Sequence, residues 1–354
     1  MGCAAAFELA SRGVRTLVLE RSVPGAEASS AAAGMLGAQV ESHAPGPFVD
    51  LCVASRDRFS SWAARLREVS GIDVEHRVCG ITAAAFDRAE LDKMEAHAAW
   101  QREAGLRAVP LRASEVRAIE PDLAADVIGG ISFPDDARVD PPRLLKALRI
   151  SAEKSGASFR TGAVVRKVAG DGARSSGVVL ESGETIESAH VVLAAGSWST
   201  LVGGTTLAPD AIRPARGQIV ELQLAVPFQR GIVVGSKCYV SPRDDGRVLI
   251  GSTLEFVGFE RGVTAGAVRD LLTSATRMLP RLEAADLGRV WSSFRPYTAN
   301  EMPFIGPSPI ENLWLATGHY RNGILLSPIT AEIIAALIAG EAPPIDPSPF
   351  RAPA

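Results

Sequence analysis

"MGCAAAFELASRGVRTLVLER" (residues 1–21) decides the fold. Residues 4–12 read as an apolar, alanine-rich helix in which Phe7 and Leu9 sit among strong helix formers. Gly13 supplies its stop, and Val14–Leu19 then read as a buried strand ending in an acid, Glu20. Helix then strand is two-thirds of a βαβ unit. In the dinucleotide-binding form, a first strand ends in G-x-G-x-x-G and its glycines admit a pyrophosphate to the helix N-terminus. An acid at the end of the second strand bonds the ribose hydroxyls. Gly2 fits the third glycine and Glu20 the acid. The first strand and first two glycines would fall before Met1, so that strand is expected to be missing here.

Composition narrows the classes. The chain has 354 residues, 47% hydrophobic and only 6% aromatic, ample for more than one domain. Its 37 basic and 40 acidic residues give 37 − 40 = −3, without the basic stripe that nucleic acid requires. Cys3, Cys52, Cys79 and Cys238 are scattered with no CxxC, which reads as reduced intracellular thiols. No apolar run approaches the ~18–20 residues of a membrane span. The N-terminus lacks the basic and apolar regions of a signal peptide, so a cytoplasmic protein is expected.

Further along, helices are predicted at 48–70, with Phe59, Trp62 and Leu66 on one stripe and Gly71 beyond, and at 89–104, stopped by Gly105. Asp140 before Pro141 and Pro142 is a capped helix start running to about Lys154. "GVVLESGETIE" (177–187) reads as a hairpin, and "HVVLAAGSWS" (190–199) as an apolar strand meeting a glycine turn. Residues 213–256 read as antiparallel sheet, with Asp245–Gly246 a tight turn. Helices return at 265–279 and 328–339, and the proline-rich end, 342–354, is expected to trail over the surface. The architecture predicted is α/β: a Rossmann-like nucleotide layer with an α+β antiparallel-sheet domain inserted in pieces.

"GAEASSAAAGMLGAQVE" (25–41) is a run of small residues that cannot build a core but suits a backbone lying flat on a large planar ligand. "EASSAAAGML", "VWSSFRPYTANEMPFIG" and "GHYRNGILLSPITAEII" resemble the D-amino-acid oxidase superfamily of FAD-dependent oxidoreductases. Within it the likeness is to the glycine oxidases associated with thiamine (thiazole) biosynthesis in bacteria, and it runs from Gly2 to near residue 340. The resemblance implies an FAD-binding domain of residues 1–75, 139–212 and 296–354, and a substrate domain of 76–138 and 213–295. It implies a first strand ending in G-G-G-I-I-G, whose last glycine aligns with Gly2; without it, FAD should bind less tightly.

Site residues follow from the same resemblance. Arg295, in "FRP", is the carboxylate anchor, since a planar guanidinium can hold a carboxylate by two parallel bonds. Tyr239, in "KCYVSPR", is the active-site tyrosine, and Arg321 lines the same site and the flavin. Leu254 stands where relatives carry a methionine, and Gly37 with Ala38 keeps the entrance small-sided. FAD is expected on Gly2, Glu20, Arg21, Ala28, Ser29, Ala33, Gly34, Met35, Val164, Val165 and Gly196, and on the loop Gly318, His319, Arg321, Asn322, Gly323, Ile324 and Leu325. No Cys or His lies in "RPYTANEMPFIG", so the FAD should be noncovalent. His43, His76, His97 and His190 have no ligand-like spacing, so no metal is expected.

The chemistry implied is oxidation of glycine, sarcosine, D-alanine and similar small amines by FAD to an imine. The imine hydrolyses to a 2-oxo acid and ammonia while O2 becomes hydrogen peroxide. A homo-oligomer is implied, a tetramer in similar enzymes, and neither nucleic acid nor membrane is a partner. Two alternatives stay open at this point: a dehydrogenase of the superfamily that passes electrons to a quinone, and a noncatalytic flavoprotein.

Overall fold

The computed structural model describes residues 1–228 and 231–352. Residues 229–230 of the sheet-rich segment and the last two residues of the tail lie outside the described residues. The opening helix spans Gly2–Ser11, and its Ala4, Ala6 and Phe7 are buried. Small side chains let it pack closely on two other helices, Pro141–Lys154 and Ser327–Ile338. With Pro47–Ser70 these enclose a core built on Phe7, Phe59, Leu66, Leu144 and Ile333. The helix boundaries follow local chemistry. Asp140 accepts a bond from the Arg143 amide at 3.1 Å beside Pro141 and Pro142, and Gly71 ends Pro47–Ser70 at φ 80°. Arg88–Glu103 and Ala265–Met278 stand where the sequence predicts helices.

Beside this helical layer lie short parallel pairs. Leu17–Glu20 pairs with Ser158–Thr161, and Val191–Leu193 with Leu313–Thr317, which also takes Phe304–Pro307 antiparallel. The strand after the opening helix is not buried as predicted. Leu17 is 45% exposed and its neighbours are half-buried, because one edge of the strand faces a large cavity instead of another strand. The predicted hairpin is present as Ser175–Leu180 and Thr185–Glu187, joined to Val165–Gly170.

The second layer is one eight-stranded sheet. Its order is Asp286–Tyr297, Arg213–Gln223, Arg247–Gly251, Tyr239–Pro242, Ile232–Val234, Ile81–Ala85, Gly129–Phe133 and Val109–Arg112. All neighbours are antiparallel except Ile232–Val234 with Ile81–Ala85. One face packs Val220, Val240 and Ile250 against Leu271 and Met278 of the Ala265–Met278 helix. The Asp245–Gly246 turn joins two of these strands, with Gly246 at φ 86°. The proline-rich tail departs from expectation. Much of it is exposed, but Phe350 is buried in the helical core and ties the chain end down.

Candidate active site

Where the two layers meet lies a cavity of about 1270 Å³. It reaches from Gly2 and Glu20, past the small residues Ala28–Gly34, to Tyr239, Arg295 and Arg321. Such a volume exceeds that of an ordinary drug-sized site and suits a dinucleotide together with a small substrate.

Arg295 sits near the end of the Asp286–Tyr297 strand, opposite Ala215. Its Nη1 donates to the Thr253 carbonyl at 3.1 Å, and its Nη2 donates to the Ser252 hydroxyl. Two of a guanidinium's five donors are thereby used to aim it, and the others remain available. The guanidinium lies over Gly217 of the neighbouring strand, where any Cβ would collide with both terminal nitrogens. Tyr239 is placed by the same device: it pairs with Gly251, and a Cβ there would strike the phenol oxygen. Burial lowers the Arg295 pKa, the nearby Arg321 adds to this, and Tyr239 opposes it. Burial likewise raises the Tyr239 pKa against the pull of Arg295 and Ser252. The pair is a desolvated cation beside a neutral phenol, a surrounding that favours an incoming anion.

The loop after Leu313–Thr317 brings a second set. Arg321 is exposed to the cavity. Burial pulls its pKa down, but Glu41, Tyr320 and Glu301 outweigh that and leave it raised. His319 is buried, its Nε2 lies 3.1 Å from the Thr330 hydroxyl, and burial pushes its pKa down to about 3, so it is neutral. Glu20 turns one carboxylate oxygen to the Ser22 amide at 2.9 Å. Arg21 pairs with Glu27 at 2.5 Å and lies 3.8 Å over the Trp198 ring. Below the entrance, Asp136 accepts the amides of Gln39 and Val40 and a bond from Arg56, which fixes the turn that carries Glu41.

The cavity wall gathers Gly2, Glu20, Arg21, Ala28, Ser29, Ala33, Gly34, Met35, Val164, Val165, Gly196, Tyr239, Arg295, His319, Arg321, Asn322, Gly323 and Ile324. Five expected residues are elsewhere: Ala38, set at the entrance with Gly37, is fully buried in the helical core. Leu325 is fully buried in the helical core. Leu254 is 44% exposed off the wall. Gly37 and Gly318 act through backbone: side chains there would press on Val40 and on Thr298. Sequence reading passed over Glu41, Tyr320, Gly217 and Gly251. Glu41 closed the small-residue run and Tyr320 stood inside "GHYRNG", so both carried a signal; the two glycines act only through strand pairing.

Comparison with known proteins bears directly on this cavity. The family model of FAD dependent oxidoreductases matches residues 1–337. The chain belongs to this FAD-dependent family. The glycine oxidase of Geobacillus kaustophilus is 36% identical over 99% of the chain and 93% of its own length. Its crystal structure superposes with a TM-score of 0.93, covering 99% of this chain and 95% of that one. The bifunctional ThiO/ThiG protein of Synechocystis is 37% identical over 96% of the chain, which spans about half of that longer relative.

The residues of this FAD-dependent oxidoreductase fit the cofactor. The Gly2–Ser11 helix starts at the cavity with free amides suited to a pyrophosphate. A Cβ on Gly196 would meet open space, while Gly34, at φ 73°, lets the backbone turn tightly past Val139 and Pro141. Arg243, buried at 1% exposure, donates to the Ala33 carbonyl and holds the small-residue run in place.

Proposed function

We propose that this protein oxidises glycine and other small amines such as sarcosine and D-alanine, consuming O2 and water and yielding the 2-oxo acid, hydrogen peroxide and an amine: ammonia from glycine and D-alanine, methylamine from sarcosine. The observation that carries this reading is Arg295: a half-buried fork, aimed by Ser252 and Thr253 and seated over Gly217, beside Tyr239. A fork so placed takes a carboxylate by two parallel bonds and so fixes the adjacent carbon. The glycine oxidase and ThiO relatives support the same substrate class and a role in supplying thiazole synthesis for thiamine.

In this reading, residues 1–75, 139–212 and 296–354 hold the cofactor, and 76–138 and 213–295 the substrate. Noncovalent FAD is held by the start of the Gly2–Ser11 helix, Glu20 at the ribose, the Ala28–Met35 run, Val164, Val165, Gly196 and the 319–324 loop. Bound there, FAD supplies a two-electron acceptor. Arg295 and Tyr239 orient the carboxylate, Arg321 keeps a positive field at the entrance, and the apolar walls exclude water. Neither a nucleophile nor a general base is needed, since a neutral amine reacts once its α-carbon is held. The protein works in the cytoplasm as a homo-oligomer with O2 as acceptor. The test is glycine-dependent oxygen uptake by the holoenzyme with matching peroxide release. Turnover only with a quinone, or none with any small amine, would overturn it.

A further inference from the structure

Tyr320 is strained, buried and incompletely bonded. Its φ of 45° is a left-handed value that residues other than glycine rarely adopt. Only 5% of it is exposed, yet it lines the cavity. Its amide donates to the Pro296 carbonyl at 3.1 Å, and its ring meets Tyr297 edge-on at 5.1 Å. The Arg321 guanidinium lies 5.1 Å from its centroid. The hydroxyl oxygen faces Arg321 closely enough to help raise that guanidinium's pKa and also influences Arg295, but the hydroxyl has no acceptor for its own hydrogen among the described residues. A buried phenol is costly to leave without an acceptor for its hydrogen. Backbone strain adds a second cost. Both fall at the place where the loop turns a side chain toward Arg295.

Resting on the proposed amino-acid oxidation, we infer that the Tyr320 hydroxyl is a third donor to the substrate carboxylate, converging on it with Arg295. The surroundings select a donor's partner. The nearby cations are Arg295 and Arg321, with the Glu41 carboxylate acting on both and Glu301 on Arg321, and an anionic oxygen brought between the arginines is an acceptor that they and the hydroxyl favour together. The aromatic contact with Tyr297 and the bond to Pro296 fix the ring, so the hydroxyl is held in place before substrate arrives. Tyr320 is thus a binding residue whose effect lies in affinity for carboxylates.

Tyr320→Phe keeps the ring, its contact with Tyr297 and the backbone bond, and removes only the oxygen. Acetate titrated into the holoenzyme, followed by calorimetry, reads the carboxylate site without turnover. The variant should bind acetate about ten- to a hundredfold more weakly. Its KM for glycine should rise by a similar factor with kcat little changed, while kcat/KM for propylamine, which has no carboxylate, stays within twofold. Acetate binding within twofold of the wild type would overturn this inference alone. An equal loss on propylamine would also overturn it, as the hydroxyl would then be structural. Failure of the wild type to bind any small carboxylate would overturn this inference and the amino-acid reading together.

Discussion

The two walls of the cavity are built in different ways. The substrate wall is one continuous ladder: Arg213–Gln223 stays in register with Asp286–Tyr297 from Arg213 opposite Tyr297 to Gln223 opposite Asp286, with a single irregularity near Val220. The proposed cofactor wall is assembled from short strands of three to six residues, helix starts and loops. On the ladder, position is set by pairing, so a side chain is aimed by its cross-strand neighbour, and a glycine there is a seat for someone else's side chain. On the cofactor wall, many backbone amides each contribute a little. The first wall should therefore fail at single atoms, and the second should weaken by degrees.

The sharpest test of that contrast is Arg295→Ala beside Gly217→Ala. Losing a desolvated bidentate contact should lower kcat/KM for glycine by roughly 30- to several-thousand-fold, or about 2–5 kcal/mol. A methyl on Gly217 would occupy the space of the guanidinium and should produce most of the same loss without touching the arginine. FAD should remain bound in both, and an amine without a carboxylate should be oxidised at nearly wild-type rates. Lysine at 295 should rescue little, because it lacks the planar fork. If Gly217→Ala keeps glycine kcat/KM within threefold, the ladder does not aim Arg295 and the contrast breaks.

The cofactor wall should answer more gently. Glu20→Gln removes one charge at the strand end but leaves the helix start, the small-residue run and the 319–324 loop in place. FAD affinity should fall about five- to fiftyfold, as expected for one charge-assisted hydrogen bond, while KM for glycine at saturating FAD stays unchanged. Acid precipitation should release the yellow flavin into the supernatant from both proteins. Unchanged FAD affinity would take Glu20 out of the ribose site.

This division also explains what could be read in the sequence. Helices announced themselves through stops and caps: Gly71, Asp140 with its prolines, and the apolar stretch after Gly323. That small residues, a glycine and an acid after a strand line one cavity was legible because these features are local. Arg295, Tyr239 and Arg321 came from motif resemblance. Gly217 and Gly251 were not legible, because their importance depends on which residue faces them across a sheet, and one strand's sequence does not encode its partner. The tail misled for a related reason: prolines mark an irregular path, but Phe350 follows that path into the core. Tyr320 lay inside a recognised motif, but only its φ and a buried hydroxyl without an acceptor among the described residues set it apart.

The smallest effect expected is in the pH dependence of stability, where two buried groups, Asp136 and His319, oppose each other. Asp136, under the turn that carries Glu41, has its pKa pushed up to about 7 by burial, against the amide of Val40 and the charge of Arg56. His319, in the cofactor loop, is pushed down to about 3. In an unfolded chain an aspartate titrates near 3.9 and a histidine near 6.5. Between about pH 4 and 7 the folded Asp136 keeps a proton that the unfolded one has released, so its contribution to stability falls as pH rises. Between about pH 3 and 6.5 the unfolded histidine carries a proton that the folded His319 refuses, so that contribution falls as pH drops. Each slope is at most about 1.4 kcal/mol per pH unit, and across about pH 4–6.5 they nearly cancel. Asp136→Asn should therefore make the fold more acid-sensitive, by leaving His319 unopposed, whereas His319→Gln should make it lose stability toward neutral pH. Thermal midpoints measured from pH 4 to 7 at saturating FAD read both slopes. Parallel curves for wild type and both variants would show that neither group titrates as its burial requires.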